Sequence, residues 1–451
     1  MSKKGQKIGR YTVLSRLGKG GMGSVFKVRM PVTGKTVALK LLDPFETLLQ
    51  ILGLDKLKSV FTAEAMTMSH LRHPYIADVW DFDYDQQGRP FFTMEYYCNN
   101  LGSIIGEHYQ VERPSRPIDP EKVIHYGDQI LAGASCLHQS GIIHRDLKPF
   151  NIMITDQDTV KICDFGLSKQ RGETVDGPMG MRVGSPYYTA PEQVKDPEQA
   201  DQRSDIFSVT VLLYRMLTGE LPSMKNFSLS MVNPLYDHSW DDFFAKGLSL
   251  APENRFSSAA EMRTALGDLK LHWDSVKQQA CTLAHSTDQD QQTEQLKLRS
   301  SASRLSGSKA RQTFGVEEMF RPQTYITNRF DTPKNGVVHD LATGLYWQVG
   351  ITDHPMDRQA AERYIESLNS QQLGGKDQWR LPTVNELLSM LNQTGSMANY
   401  CGSQVFKQSR ASLWSCDWRS HDTAWYVNLD MGFVGWMDED CFLDIKAVTS
   451  A

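Results

Sequence analysis

Between residue 8 and about residue 95, runs such as YTVLSRLG, SVFKVRM and KTVALKLL are short, rich in β-forming residues and punctuated by turn residues, which predicts short strands. One segment, VFTAEAMTMSHL, breaks that rhythm and predicts a helix. From residue 120 to about 271 the apolar spacing becomes three and four, as in VIHYGDQILAGASCLH and IFSVTVLLYRML, so this stretch is mostly helical. Between 278 and 312 the chain turns to Gln, Ser, Thr, Asp and Lys and loses its aromatic residues. That composition buries too little apolar surface to order itself and predicts a linker. Beyond about 325 short strand-like runs return: GVVHD, residues 345–349, SLWSCDW, TAWYVNLDMGFVGW and CFLDIKAVT, with an amphipathic helix in DRQAAERYIESLNS. No period of 20–50 residues marks a repeat architecture.

Composition narrows this picture. A chain of 451 residues exceeds one compact domain, and 40% hydrophobic with 22% charged residues is ordinary for a globular protein. A formal net charge of -5 argues against a whole-chain nucleic-acid binder. No stretch reaches the length of apolar sequence that a membrane span needs, and the basic start MSKKGQKIGRY lacks the apolar core of a secretory signal. Seven cysteines without a C-x-x-C pair fit a reducing compartment, so the expected location is cytoplasmic. Six of the nine tryptophans lie beyond residue 340, which sets the last part apart as a separately folded, aromatic-rich unit.

The candidate chemistry lies in the first two-thirds. LGKGGMGSV places Gly18, Gly20 and Gly23 in a G-x-G-x-x-G spacing between two predicted strands, with Val25 two positions on. Glycines between strands disfavour the dinucleotide-binding arrangement, which needs a strand followed by a helix. Backbone without side chains can close over phosphates, and Val25 can pack on an adenine face. VALK puts Lys40 on a strand, where an ammonium can meet phosphate oxygens. In HRDLKPFN, Asp146 can accept a hydroxyl proton, Lys148 can balance phosphoryl charge and Asn151 can supply an oxygen to Mg²⁺. DFG adds the carboxylate of Asp164, and GSPYYTAPE follows.

Order and spacing of these elements match the protein-kinase set, and the chain resembles the Ser/Thr protein kinases of the eukaryotic-like kind found in bacteria, over about residues 8–271. The resemblance implies a bilobal kinase fold with a β-rich N-lobe and a helical C-lobe, using ATP and Mg²⁺ on proteins with Ser or Thr hydroxyls. It implies that Lys40 pairs with Glu64, with Glu46 an outside candidate. Ala38, Met94, Glu95 and Tyr97 would line the nucleotide site with Gly18, Gly20, Gly23 and Val25. Glu192 with Arg255, and Asp205, would be scaffold. Thr210 stands where the family usually has glycine. Arg145 before the catalytic aspartate suggests activation by phosphorylation, with Thr174 the acceptor and Ser185 in a substrate-loop role as a second regulatory candidate.

Residues from 328 onward, with TGLYW, DQWRLPTVNEL and TAWYV, resemble the Lcl C-terminal domain family. That resemblance implies an α+β C-type-lectin-like domain over residues 325–451, joined to the kinase by a polar, largely flexible linker over 272–324. Trp379 and Leu381 would fill its core, while Thr383 and Glu386 would form a capping box after Pro382. Trp414, Trp418, Trp425 and Trp436 are candidate exposed contacts for an unidentified ligand or protein. Cys416 and Cys441 are candidates for a catalytic role, with two buried thiols as the simpler state, and the acidic DMGFVGWMDED is a candidate Ca²⁺ loop. Alternatives are a signalling scaffold and a hypervariable ligand-binding protein, in either of which the kinase-fold part is regulatory.

Overall fold

The computed structural model describes residues 5–107, 111–164, 169–170, 187–223, 228–233, 236–284, 295–391 and 412–450. The chain divides into two compact units, residues 1–269 and 270–451. Thr174 and Ser185 lie outside the described residues.

The first unit begins with β1 (Lys7–Ile8), β2 (Tyr11–Lys19), β3 (Gly23–Arg29) and β4 (Thr36–Leu42). Helices α1 (Glu46–Leu52) and α2 (Leu54–His70) precede β5 (Val79–Tyr84) and β6 (Pro90–Glu95). The strands form one sheet in the order β1-β2-β3-β4-β6-β5, with every pair antiparallel. Apolar residues that alternate along the strands meet on one face: Tyr11, Val13, Phe26, Val28, Val37, Leu39, Leu41 and Phe91 form one core cluster. Helix α2 buries Leu57, Phe61, Ala65 and Met68 and, on the same stripe, the carboxylate of Glu64. A buried charge on an apolar stripe requires a partner, which locates the site before any motif is invoked.

Next come β7 (Asn99–Asn100), α3 (Leu101–Ile105), α4 (Pro120–Gln139), β8 (Ile142–Ile143), β9 (Ile152–Ile154), β10 (Val160–Ile162) and β11 (Lys169–Gln170). Helix α4 starts on an Asp119 cap with Pro120 in its first turn, where the missing N–H costs nothing. After it lie α5 (Pro191–Lys195), α6 (Gln202–Thr218), α7 (Leu229–Val232), α8 (His238–Gly247) and α9 (Ala259–Ala284). Helix α6 buries every residue from Ser204 to Leu217 except Phe207 and so forms the centre of this helical part. Thr210 fits there because α8 carries Gly247, where a Cβ would come 2.3 Å from the Thr210 hydroxyl.

The second unit holds α10 (Gly307–Phe314), β12 (Val337–Asp340), β13 (Leu345–Gln348), α11 (Arg358–Ser370), α12 (Val384–Leu388), β14 (Ser412–Trp418), β15 (Thr423–Asn428), β16 (Phe433–Asp438) and β17 (Val448–Ser450). They form two three-stranded antiparallel sheets, β12-β13-β17 and β14-β15-β16. The stretch read from its composition as a flexible linker is corrected here. Helix α9 continues to Ala284, and residues 295–322 belong to this unit. Leu296 N–H donates to Ala342 O, Leu305 N–H to Trp418 O, and Ala310, Phe314 and Val316 enter the core with Trp347, Leu387 and Trp425. Averaged composition hides a few well-spaced apolar residues that a sheet can receive.

Candidate active site

Lys40, on β4, is buried together with Glu64 of α2. Its Nζ donates to Glu64 Oε1 at 2.6 Å and to Asp164 Oδ1 at 2.8 Å. Burial alone would lower the Lys40 ammonium pKa, but the carboxylates of Asp164 and Glu64 outweigh it and hold it above its ordinary value. The Lys40 charge in turn holds Asp164 at about 2, against burial. Glu46 heads α1, which buries none of its residues, and the Lys40 contacts go to Glu64.

Asp146 and Asn151 lie between β8 and β9 and are buried. Lys148 Nζ donates to Asp146 Oδ2 at 2.7 Å, and Asn151 Nδ2 donates to the same oxygen at 3.1 Å and to Asp146 O at 2.9 Å. The loop is fixed from below by Asp205 of α6, which accepts His144 N–H at 2.9 Å and Arg145 N–H at 2.8 Å. His138 Nε2 bonds the same carboxylate at 2.8 Å. Although burial opposes it, the His138 contact keeps Asp205 below the usual carboxylate range. Arg145 and Asp164 both take positive φ, 65° and 66°, and these bends bring one residue from each segment to the site. Gln193 donates to Arg145 O at 2.8 Å, and Arg255 holds Glu192 through two bonds of 2.7 and 2.8 Å. His138 and Gln193 were not singled out by sequence; they act from α4 and α5, outside the catalytic-loop motif, and no local motif marks them.

The glycine-rich turn lies over the same end of the sheet. Gly18 pairs with Val25, and Val25 faces Lys40 across the β3–β4 ladder. A side chain at Gly23 would meet Leu41 O at 2.5 Å, so that position is closed to any other residue, whereas a Cβ at Gly18 meets nothing within 4 Å. Ala38 is buried opposite Met94, and Tyr97 donates to Glu95 at 3.3 Å. Burial and Glu95 raise the Tyr97 phenol pKa and keep it protonated. The structure therefore gathers Lys40, Glu64 and Asp164 in one contact set and Asp146, Lys148 and Asn151 in another, and lines up Val25, Ala38 and Met94 on neighbouring strands.

Residues 11–262 match the family model described as the protein kinase domain. The chain belongs to the protein kinase family. Residues 336–449 match a second model, the Lcl C-terminal domain. Among similar curated proteins, serine/threonine-protein kinase pkn3 of Myxococcus xanthus is 37% identical over 222 residues, covering 47% of this chain and 38% of that protein. Serine/threonine-protein kinase PksC of Streptomyces coelicolor is 34% identical over 276 residues, covering 56% of this chain and 48% of that protein. This kinase-family chain thus spans less than half the length of either relative. A crystal structure of the Mycobacterium tuberculosis PknI kinase domain covers 60% of this chain and 100% of that one, with 23% identity and a TM-score of 0.46.

In the second unit of this kinase-family chain, the DQWRLPTVNEL phrase is structural. Trp379 is buried and exchanges two backbone bonds with the Asn369 side chain, 2.6 and 2.9 Å. Thr383 and Glu386 form the capping box of α12, and Arg380 holds Glu386 through bonds of 2.7 and 2.6 Å. Of the four tryptophans weighed as exposed contacts, Trp414 and Trp425 are core, Trp418 is half-buried and only Trp436 is exposed. Cys441 is fully buried and disulfide-bonded, which corrects the expectation of two free thiols, and burial pushes the half-buried Cys416 thiol up to about 12, so Cys416 supplies no thiolate near neutral pH. Among the described residues no three His, Cys, Asp or Glu side chains gather as a metal site, and none of their helices is long and apolar enough to cross a membrane.

Proposed function

We propose that this chain is a Ser/Thr protein kinase that transfers the γ-phosphoryl group of ATP to hydroxyls of protein substrates. The observation that carries the reading is the pairing of Lys40 with both Glu64 and Asp164, in one chain with Asp146 held between Lys148 and Asn151. Lys40 meets the nucleotide phosphates from a position set by Glu64. The glycine-rich turn at Gly18, Gly20 and Gly23 covers them, and Val25, Ala38, Met94, Glu95 and Tyr97 receive the base. Asp146 orients the incoming hydroxyl and takes its proton, while Lys148 balances charge that builds on the phosphoryl oxygens. Asp164, held ionised, and the Asn151 amide oxygen form the hard-oxygen donor set that Mg²⁺ prefers. Bound with ATP, that cation supplies neutralisation of the phosphate charge. The protein groups otherwise act by positioning and by fixed electrostatics.

Thr174 and Ser185 are the regulatory acceptors of this reading, with phosphorylated Thr174 pairing with Arg145. The second unit is a recognition module of C-type-lectin-like kind that directs the kinase to a ligand or protein. The Lcl C-terminal match and the exposed aromatic Trp436 support this role.

Asp146→Asn tests the catalytic reading. Transfer of labelled phosphate from ATP is expected to vanish while nucleotide binding persists, and undiminished transfer would refute the role of Asp146. Mass spectrometry of the autophosphorylated wild type checks Thr174.

A further inference from the structure

The turn between β14 and β15, residues 419–422, carries a cation, Arg419, that meets no counter-charge among the described residues. It is closed by Arg419 N–H and Ser420 N–H, which both donate to Thr423 O, at 2.8 and 3.1 Å. The Arg419 guanidinium lies over the Trp436 ring, 4.2 Å from its centroid. Trp436 is 42% exposed, but its edge contacts run inward to Trp425 at 5.5 Å and Phe320 at 5.7 Å. The exposed ring is therefore the outer end of an aromatic stack anchored in the core.

Among the described residues no carboxylate lies within ion-pair distance of Arg419. Its half-buried charge is lowered in pKa by burial with no opposing charge to offset it. Two half-buried arginines in this unit do meet acids. Arg299 is bidentate to Asp417 and Arg380 to Glu386. Asp422, the acid closest in sequence, accepts from Ser420 Oγ at 2.8 Å, and Asp438 lies opposite Thr423 in the sheet. A guanidinium partly stripped of water and left unpaired is a cost in the free protein that an anionic ligand would remove.

A second cation reaches the same turn. Exposed Arg304 donates from Nη1 to His421 Nδ1 at 3.3 Å, in the same turn, which leaves His421 Nε2–H as a further donor. Arg304 is held at this spot because its neighbours Ser303 and Leu305 bond the backbone of Trp418. Two guanidinium groups, an imidazole donor and a flat aromatic floor suit a dianion on an organic stem better than a single carboxylate.

We propose that Arg419 and Trp436, with Arg304 and His421, form a site for a phosphoserine or phosphothreonine of a protein partner. A phosphomonoester carries nearly two charges at neutral pH and three acceptor oxygens, matching the two arginines, while the peptide lies on the Trp436 ring. That the partner's phosphate comes from this same chain rests on the kinase reading above; the binding chemistry does not. The module would then hold phosphorylated product or a pre-phosphorylated substrate.

The test uses the full chain carrying Asp146→Asn, so that peptides are not modified during the measurement. Fluorescein-labelled degenerate phosphoserine and phosphothreonine peptides, their unphosphorylated counterparts and inorganic phosphate are titrated by anisotropy or competition. Phosphopeptide is expected to bind more tightly than the unphosphorylated peptide, with affinity falling as salt rises. Arg419→Gln is expected to weaken it by about tenfold or more, and Arg304→Gln, at an exposed position that does not threaten folding, by a smaller factor. Equal binding of both peptides, or unchanged phosphopeptide affinity in folded Arg419→Gln and Arg304→Gln, would overturn the site. Binding of inorganic phosphate as tight as that of the peptide would overturn the protein partner. Autophosphorylation is followed separately in the chain with Asp146 intact: its absence refutes the kinase reading and leaves the binding result standing.

Discussion

Lys446 carries its amine into the interior of the second unit, where Nζ donates to Val349 O at 2.9 Å and Gly350 O at 3.3 Å. Burial lowers its pKa from 10.5 to about 7. Between those values the unfolded chain holds a proton that the folded chain has released. Stability contributed by this residue therefore rises with pH across the window, by up to about 1.4 kcal/mol per pH unit, and is flat below it. Denaturant unfolding at pH 7, 8 and 9 should show that slope in the wild type relative to Lys446→Met. Equal slopes would mean the amine stays charged when folded. Residues differ in how readable they are. Lys40, Asp146, Asn151 and Asp164 stand out in the sequence because phosphate chemistry demands those groups at fixed spacings. Lys446 and Arg419 do not, since whether a cation is buried or unpaired depends on neighbours far away in the chain.

Elements were legible where one period persists. The strands from Tyr11 to Leu42 and the helices α2, α4, α6 and α11 fall where the apolar spacing places them, because a stripe or a face must be covered. The capping box at Thr383 and Glu386 was equally readable, being a local exchange of hydrogen bonds. Fits between elements were not. Thr210 of α6 is accommodated by the absence of a side chain at Gly247 of α8, a pairing across some forty residues. Gly247→Ala should destabilise the first unit by about 1–3 kcal/mol through overpacking, despite the better helix propensity of alanine. Adding Thr210→Ala, which removes the two closest atoms, should recover much of the loss. Thermal melts of the two single variants and the double variant measure this coupling, and strictly additive effects would show that the two residues do not meet.

At the scale of the whole molecule, the two units are separable in sequence, but their edges are not where composition puts them. Arg299 donates to both oxygens of Asp417, Thr383 Oγ donates to Arg299 O, and Ala310, Phe314 and Val316 lie in the core. A fragment of residues 295–451 should unfold cooperatively. One of residues 325–451 should melt at lower temperature or without a sharp transition, because it loses those core side chains and leaves buried Asp417 without its cation. Circular dichroism melting separates the outcomes, and equal melting would place 295–324 outside the folding unit.

What the sequence by itself determined is the family and the order of its chemical groups, together with the period of each long element. These follow from local spacing, which a linear chain displays directly. Only the tertiary structure decided which of the four weighed tryptophans reaches solvent, where the second unit begins and that Arg419 meets no acid among the described residues. Those are questions of distance between residues remote in sequence, and burial, charge pairing and exposure exist only once the chain is folded.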